Sequence, residues 1–195
     1  VPCGATQAYR DAWDYYYVFK EPAPQHTLSV YPRNYEMGDI QFLRSYSCSN
    51  DTAIMYATSY GGFQFARWDD GNTDNPRLVT VTKDMTFTAE FAPITSGQCG
   101  DNLYWKYEGH TLTISGTGNM YNYNDYDMPW LLFRDTTDAV VLEQGITHIG
   151  NNAFNGFVKL GKIEFPSTLS SIGANAFAGC RKLYDIYSYA VEPPV

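Results

Sequence analysis

Between Ile146 and Ile186 the apolar positions recur at one fixed interval. The stretch ITHIGNNAFNGFVKLGKIEFPST is followed directly by LSSIGANAFAGCRKLYDIYS. A shift of 23 residues lays Ile149 on Ile172, Gly150 on Gly173 and Ala153-Phe154 on Ala176-Phe177. The same shift lays Gly156 on Gly179, Leu160 on Leu183 and Ile163 on Ile186. A period of roughly 20–29 residues with apolar residues at fixed phases marks a leucine-rich type of solenoid. Each unit is a short strand plus a turn that cannot bury its own apolar face, so stacked neighbours bury it together. Phe154 and Phe177 are therefore expected to be buried at equivalent positions, filling the space between coils. The paired glycines allow tight corners.

The rest of the chain reads mostly as strands. Residues 1–26 carry two conflicting patterns. Tyr9, Trp13 and Tyr16 have helical spacing, whereas Tyr15-Tyr16-Tyr17-Val18-Phe19 has strand propensity, and Pro22 and Pro24 end either one. From Thr27 the alternation predicts strands over Thr27–Tyr31 and Ala53–Thr58. A further strand follows the Gly61-Gly62 turn over Phe63–Trp68. After a turn-rich run from Asp69 to Pro76, two more are expected over Leu78–Val81 and Phe87–Phe91. A mixed sheet closed around Phe63, Trp68, Val79, Phe87 and Phe91 is the expected core. Residues 94–98 form a polar linker, which sets domains of 1–93 and 99–195. Leu103–Glu108 and Thr111–Ser115 form a hairpin across Gly109, ended by Gly116-Thr117-Gly118. Moved forward by 23 residues, Leu131 falls on Phe154 and Val140 on Ile163, so 130–145 is a half-repeat and the hairpin its amino-terminal cap.

Both copies resemble the BspA-like leucine-rich repeats of surface proteins of gut and oral bacteria. The family phrase is roughly I..IG..AF..C..L..I..P, from which the first copy departs in having Phe157 at the usual Cys. CGDNLYWKYEGHTLTISGTGNMYNYNDYDMPW resembles the hairpin segment that precedes such repeats. GFQFARWDDGNTDNPRLVTVTKDMTFTAEFAP resembles the second half of the InlB B-type bacterial repeat, a small module of secreted proteins. The resemblance implies a mainly β (α+β) protein: a β-grasp-like amino-terminal module, then a hairpin-capped short leucine-rich-repeat solenoid. It also implies secretion or display on the cell surface.

Composition excludes several classes. A net charge of −8 with 13 basic residues lacks the cationic face that nucleic acid requires. The same balance disfavours an anionic membrane surface. No apolar run approaches ~18 residues, so membrane insertion is not expected. No leader segment is visible, and the opening Val1-Pro2-Cys3 has the look of a trimmed piece. Aromatics at 16% against 17% charged residues fit neither a disordered chain nor a coiled coil. The four cysteines lack zinc spacing. Cys180 shares the inward phase of Phe157, and Cys3 and Cys48 could pair in an oxidising compartment.

Candidate chemistry is sparse. Asp70, Asn72 and Asp74 have the alternating oxygens of a calcium loop. Asn75 and Val81 stand where an EF-hand needs Gly and Glu, so a dressed β-turn is the better reading. Asp125 and Asp127 lack a partner to split their pKa values as hydrolase carboxylates require. His26, His110 and His148 are scattered, and no catalytic motif occurs. No catalytic residue, metal ligand or cofactor is assigned. The loop around Tyr121, Tyr123 and Tyr126, with Trp130, has the composition of a recognition surface, so these four are the candidate ligand-binding residues. The expected function is a non-catalytic, adhesin-like interaction protein whose ligand is an extracellular protein or glycan, including one supplied by a host. A carbohydrate-binding module is the alternative, and a hydrolase a more distant one. An exposed last coil near Phe177, Leu183 and Ile186 would allow weak homodimerisation.

Overall fold

The structure, a computed structural model, describes residues 26–47 and 50–195. Cys3 and Cys48 lie outside the described residues, as do 1–25. The chain divides into two compact units, 1–93 and 94–195. The described residues are mostly strand, with a single 3-10 turn at Leu131–Phe133, so the protein is mainly β. No helix among the described residues is long and apolar enough to cross a membrane.

The first unit is built from six strands: β1 (Leu28–Pro32), β2 (Gly38–Ser47), β3 (Asn50–Ser59), β4 (Phe63–Trp68), β5 (Arg77–Thr80) and β6 (Met85–Pro93). In place of one mixed sheet there are two sheets of three strands, ordered β1-β6-β4 and β2-β3-β5. Strand β1 runs parallel to β6, whereas all other pairs in this unit are antiparallel. Both sheets contribute to one core: Met55 and Val79 from one, Leu28, Trp68, Phe87 and Ala89 from the other. Burying a side chain such as Met55 contributes about 1.5–3 kcal/mol.

A β-bulge after Phe65 decides which aromatics enter that core. The register passes from Phe65↔Phe91 to Arg67↔Glu90, leaving Ala66 unpaired. The extra residue reverses the alternation, so that Trp68 turns inward and Arg67 outward to Glu90 at 2.7 Å. Trp68 is fully buried and its Nε1 donates to the Asp74 carbonyl at 2.9 Å. Phe63 and Phe91, expected in the core, are only half-buried, and Phe91 covers Gly38, where an added Cβ would lie 2.5 Å from its ring. Strand β2 was not expected, because Gly38 and Arg44 share its inner face with Ile40, and Phe42 and Leu43 are both exposed. Its ladder to β3, from Gly38↔Ser59 to Ser47↔Asn50, is what makes it a strand.

The second unit opens with a hairpin of β7 (Ser96–Glu108) and β8 (Thr111–Met120). Strand β7 begins within the expected linker and leaves only residues 94–95 outside the strands. Gly109 and His110 turn the chain at φ 54° and 64°, the two left-handed positions of a tight hairpin turn. Gly116 and Gly118 do not end β8. The strand continues past them to Met120, because its far half pairs with a later strand.

Five short strands follow: β9 (Ala139–Leu142), β10 (Ile146–Ile149), β11 (Lys162–Phe165), β12 (Ser171–Ile172) and β13 (Asp185–Ser188). Strand β8 pairs in parallel with β9 along its first half and with β10 along its second, so the hairpin covers the start of the repeat. Strand β10 then pairs with β12 through His148↔Ser171 and Ile149↔Ile172, and β11 with β13 through Ile163↔Ile186 and Glu164↔Tyr187. Every one of these parallel partners is one 23-residue repeat apart. Side chains repeat the step: His148 Nδ1 lies 2.8 Å from Ser171 Oγ, and Ser167 Oγ donates to Gln144 Oε1 at 2.9 Å.

The turn segments stack as regularly as the strands. Asn152, Phe154 and Gly156 donate backbone N–H groups to the carbonyls of Ala174, Ala176 and Ala178, at 3.0, 2.8 and 2.7 Å. Asn152 and Asn175 occupy the same left-handed position, at φ 54° and 57°, which asparagine tolerates better than most residues. Gly150 and Gly173 are required by close approach. An added Cβ at Gly150 would lie 1.8 Å from the Tyr121 carbonyl, and one at Gly173 would lie 2.5 Å from Asn151 N.

Two expectations for this stack are corrected. The half-repeat places Trp130, not Leu131, against Phe154, while Leu131 is half-buried at the rim. Phe154 is fully buried but Phe177 is only half-buried, since the last coil has a neighbour on one side alone. Ile186 is 57% exposed against 1% for Ile163, and Cys180 is half-buried where Phe157 is fully buried.

Candidate functional site

The tyrosine-rich loop divides into an inner and an outer half. Tyr123 is held at the level of the first coil. Its N–H donates to the Asn151 carbonyl at 3.0 Å, its carbonyl accepts Asn152 Nδ2 at 2.8 Å, and its hydroxyl donates to the Cys99 carbonyl at 3.3 Å. Its ring meets Trp130 edge-on, with centroids 5.5 Å apart, and burial raises its hydroxyl pKa. Trp130 is fully buried, donates Nε1 to the Ala153 carbonyl at 2.7 Å and cannot contact a ligand. Of the four candidate ligand-binding residues, Trp130 is therefore core and Tyr123 is largely support. Tyr121 and Tyr126 remain at the surface, 45% and 80% exposed.

The loop acids have structural work to do. Asp127 accepts Asn124 N at 2.6 Å and Asn124 Nδ2 at 2.8 Å, closing the turn. Asp125 accepts Asn155 Nδ2 at 3.1 Å, tying the loop to the first turn of the repeat. The Asp70 turn of the first unit is similar. Asp70 is gripped by both arms of Arg77 at 2.8 and 2.6 Å, and Asp74 N donates to Asn72 Oδ1. Among the described residues no group of three or more His, Cys, Asp or Glu is placed to hold a metal ion.

A second surface emerges only from the stacking. Strands β11 and β13 pair in parallel and β9 carries the same phase, so Val141, Glu164 and Tyr187 form one outward column at 23-residue steps. Val141 is 44% and Tyr187 48% exposed. Lys162 stands 4.6 Å above the Tyr187 ring and 2.6 Å from Glu164, whose hydrogen bond raises the lysine pKa. A cation, an anion and an aromatic face thus lie side by side on rigid strands. The period held the signal for this column, since a residue one step beyond an inward position faces out in every coil.

Comparison with known proteins agrees with the repeat. Residues 133–189 match the family model described as "BspA type Leucine rich repeat region (6 copies)". A leucine-rich repeat protein from Eubacterium ventriosum ATCC 27560, solved by crystallography, is 34% identical to the chain. The match covers 48% of this chain and 25% of that one, with a TM-score of 0.45. The chain thus spans about a quarter of the length of that protein. No curated protein matches the chain.

Proposed function

We propose that the chain is a non-catalytic, adhesin-like interaction protein, secreted or held at the cell surface. In this reading a hairpin-capped leucine-rich-repeat solenoid presents a binding surface, and the first unit is a β-grasp-like spacer of the InlB B-type repeat kind. The observation that carries it is the coincidence of the matched stretch, 133–189, with the strands that bear the Val141–Glu164–Tyr187 column. Repeat scaffolds bind through side chains displayed from stacked strands, and aromatic and charged groups held rigid lose little entropy on binding.

The partner is an extracellular protein or glycan, including one supplied by a host. The reading is tested by surface binding of the chain to immobilised extracellular-matrix and mucus proteins. Tyr187→Ala together with Glu164→Lys should weaken capture roughly tenfold or more, the usual cost of removing a central anchor. Equal capture by the wild type and this variant would remove the column from the binding surface.

A further inference from the structure

A second feature of the hairpin lies away from that column. Where β7 and β8 pair, the register passes from Gly100↔Met120 to Asn102↔Thr117, so Gly118 and Asn119 face the single residue Asp101. Such a bulge opens the ladder and re-aims the side chains around it. Here it opens a cleft of about 310 Å³, whose polar lining is Asp101, Asn102, Thr117, Asn119 and Tyr121. This volume lies at the small end of the ~300–1,000 Å³ usual for ligand sites, with room for a short saccharide.

Three of the lining groups are set in position by bonds outside the cleft or along its wall. Tyr121 donates its hydroxyl to Asp101 Oδ1 at 3.0 Å, and its backbone N–H donates to the Cys99 carbonyl at 2.8 Å, so the half-exposed ring is held still. Asp101 keeps Oδ2 without a protein donor among the described residues, and Gln98 Nε2 fixes its carbonyl at 3.0 Å. Asn119 Oδ1 accepts Thr147 Oγ1 at 2.7 Å, which leaves the amide's two N–H groups as donors with no protein partner among the described residues. Tyr104, 54% exposed, lies on the same face of β7 as Asn102.

The result is a fixed acceptor and a fixed donor in one lining, together with the Tyr121 ring. That pairing suits a hydroxyl group, which donates and accepts at once. An anion would meet the Asp101 carboxylate with no cation in the lining to offset it. A lone cation would use Asp101 but leave the Asn119 donors idle. An apolar ligand would find no enclosing wall. We infer that this cleft binds a neutral saccharide, with Asp101 and Asn119 bonding its ring hydroxyls and Tyr121 packing against its ring. The phenol of Tyr121 stays protonated under this arrangement, because its bond to Asp101 raises its pKa.

The test is a titration of the whole ¹⁵N-labelled chain with lactose, cellobiose, maltose and di-N-acetylchitobiose. Concentrations should run to ~50 mM, well above the ~1 mM of weak specific binding. At least one sugar should give saturable shifts confined to the amides of 100–102 and 117–121. Asp101→Asn should weaken that sugar roughly tenfold, and Tyr121→Phe several-fold, since it keeps the ring and loses only the tether. Tyr184→Ala, exposed on the last coil and outside the lining, should leave binding unchanged. Absence of shifts with all four sugars would overturn the inference. So would saturable shifts at these amides from N-acetyl-lysine methylamide alone, which would make the cleft a site for a basic peptide side chain. Sugar shifts that map to Tyr126 or to the Tyr187 column would overturn it equally.

Discussion

Trp130 and Phe154 lie nearly parallel, at 14°, with ring centroids 5.8 Å apart, and Phe177 continues the stack 5.4 Å beyond Phe154. One aromatic column therefore runs from the half-repeat through both full coils.

The middle ring should matter most. Phe154 is enclosed on both sides, so Phe154→Ala should cost about 3–5 kcal/mol, the range for emptying a large core site. Phe177 is half-buried, and Phe177→Ala should cost about half as much, since less apolar surface returns to water. Denaturant melts of the two variants measure this. Equal losses would mean that the last coil is covered in solution.

The first unit should be acid-labile. Asp51 is held below the usual carboxylate range first by its hydrogen bonds to Arg44, and Asp70 by those to Arg77. A depressed carboxylate pKa contributes stability that is complete above the unfolded value, near 3.8 for aspartate, and is lost as pH falls through the folded value. Melting temperatures of the unit 1 transition should therefore fall as the pH drops below about 4, and Arg77→Gln should flatten that slope. An unchanged slope in Arg77→Gln would show that other acids carry the transition.

Cys99 should be inert while the chain is folded. Burial pushes its thiol up to about 12, so little thiolate exists at neutral pH, and the side chain is fully enclosed. Native alkylation at pH 8 should modify Cys180, whose half-buried thiol donates to the Phe154 carbonyl at 3.1 Å, well before Cys99. Equal rates at the two thiols would show that the hairpin opens on the labelling timescale.

Weak self-association through the last coil is also expected. Ile186, Tyr187 and Tyr189 are 57%, 48% and 59% exposed there. Sedimentation velocity over a concentration series should show a slow rise in mean mass that Tyr187→Asp abolishes. A constant monomer mass at high concentration would dispose of it.

Much of the second unit was legible in the sequence because a repeat states its contacts. Once Ile163 is laid on Ile186, the parallel partners of β10 and β12 and of β11 and β13 are fixed by addition. Trp130 escaped that logic, because the half-repeat is offset by one residue and the larger ring takes the inner place. The exposure of Phe177 could not be read from its phase, which describes a coil in the middle of a stack. In the first unit, Trp68 turns inward only because Ala66 bulges, and alternation alone would have sent it outward. Strand β2 is hard to read because Gly38 and Arg44 flank Ile40 on its inner face and Leu43 breaks the alternation. The cleft was hidden for a related reason: Asp101, Asn119 and Tyr121 meet only through a register shift that their spacing does not announce.

The hydrogen bonds between turns run both ways, for Gly173 N–H donates back to the Ile149 carbonyl and Ala174 N–H to Asn151 Oδ1, each at 2.7 Å. Asn152, Phe154 and Gly156 give their N–H groups to the coil that follows, and the corresponding N–H groups of Asn175, Phe177 and Gly179 have no acceptor among the described residues. The last coil thus presents three backbone donors that water or another segment must satisfy. At this end the main chain can be continued by a segment that offers carbonyls at alternate residues, as Ala174, Ala176 and Ala178 do for the coil before.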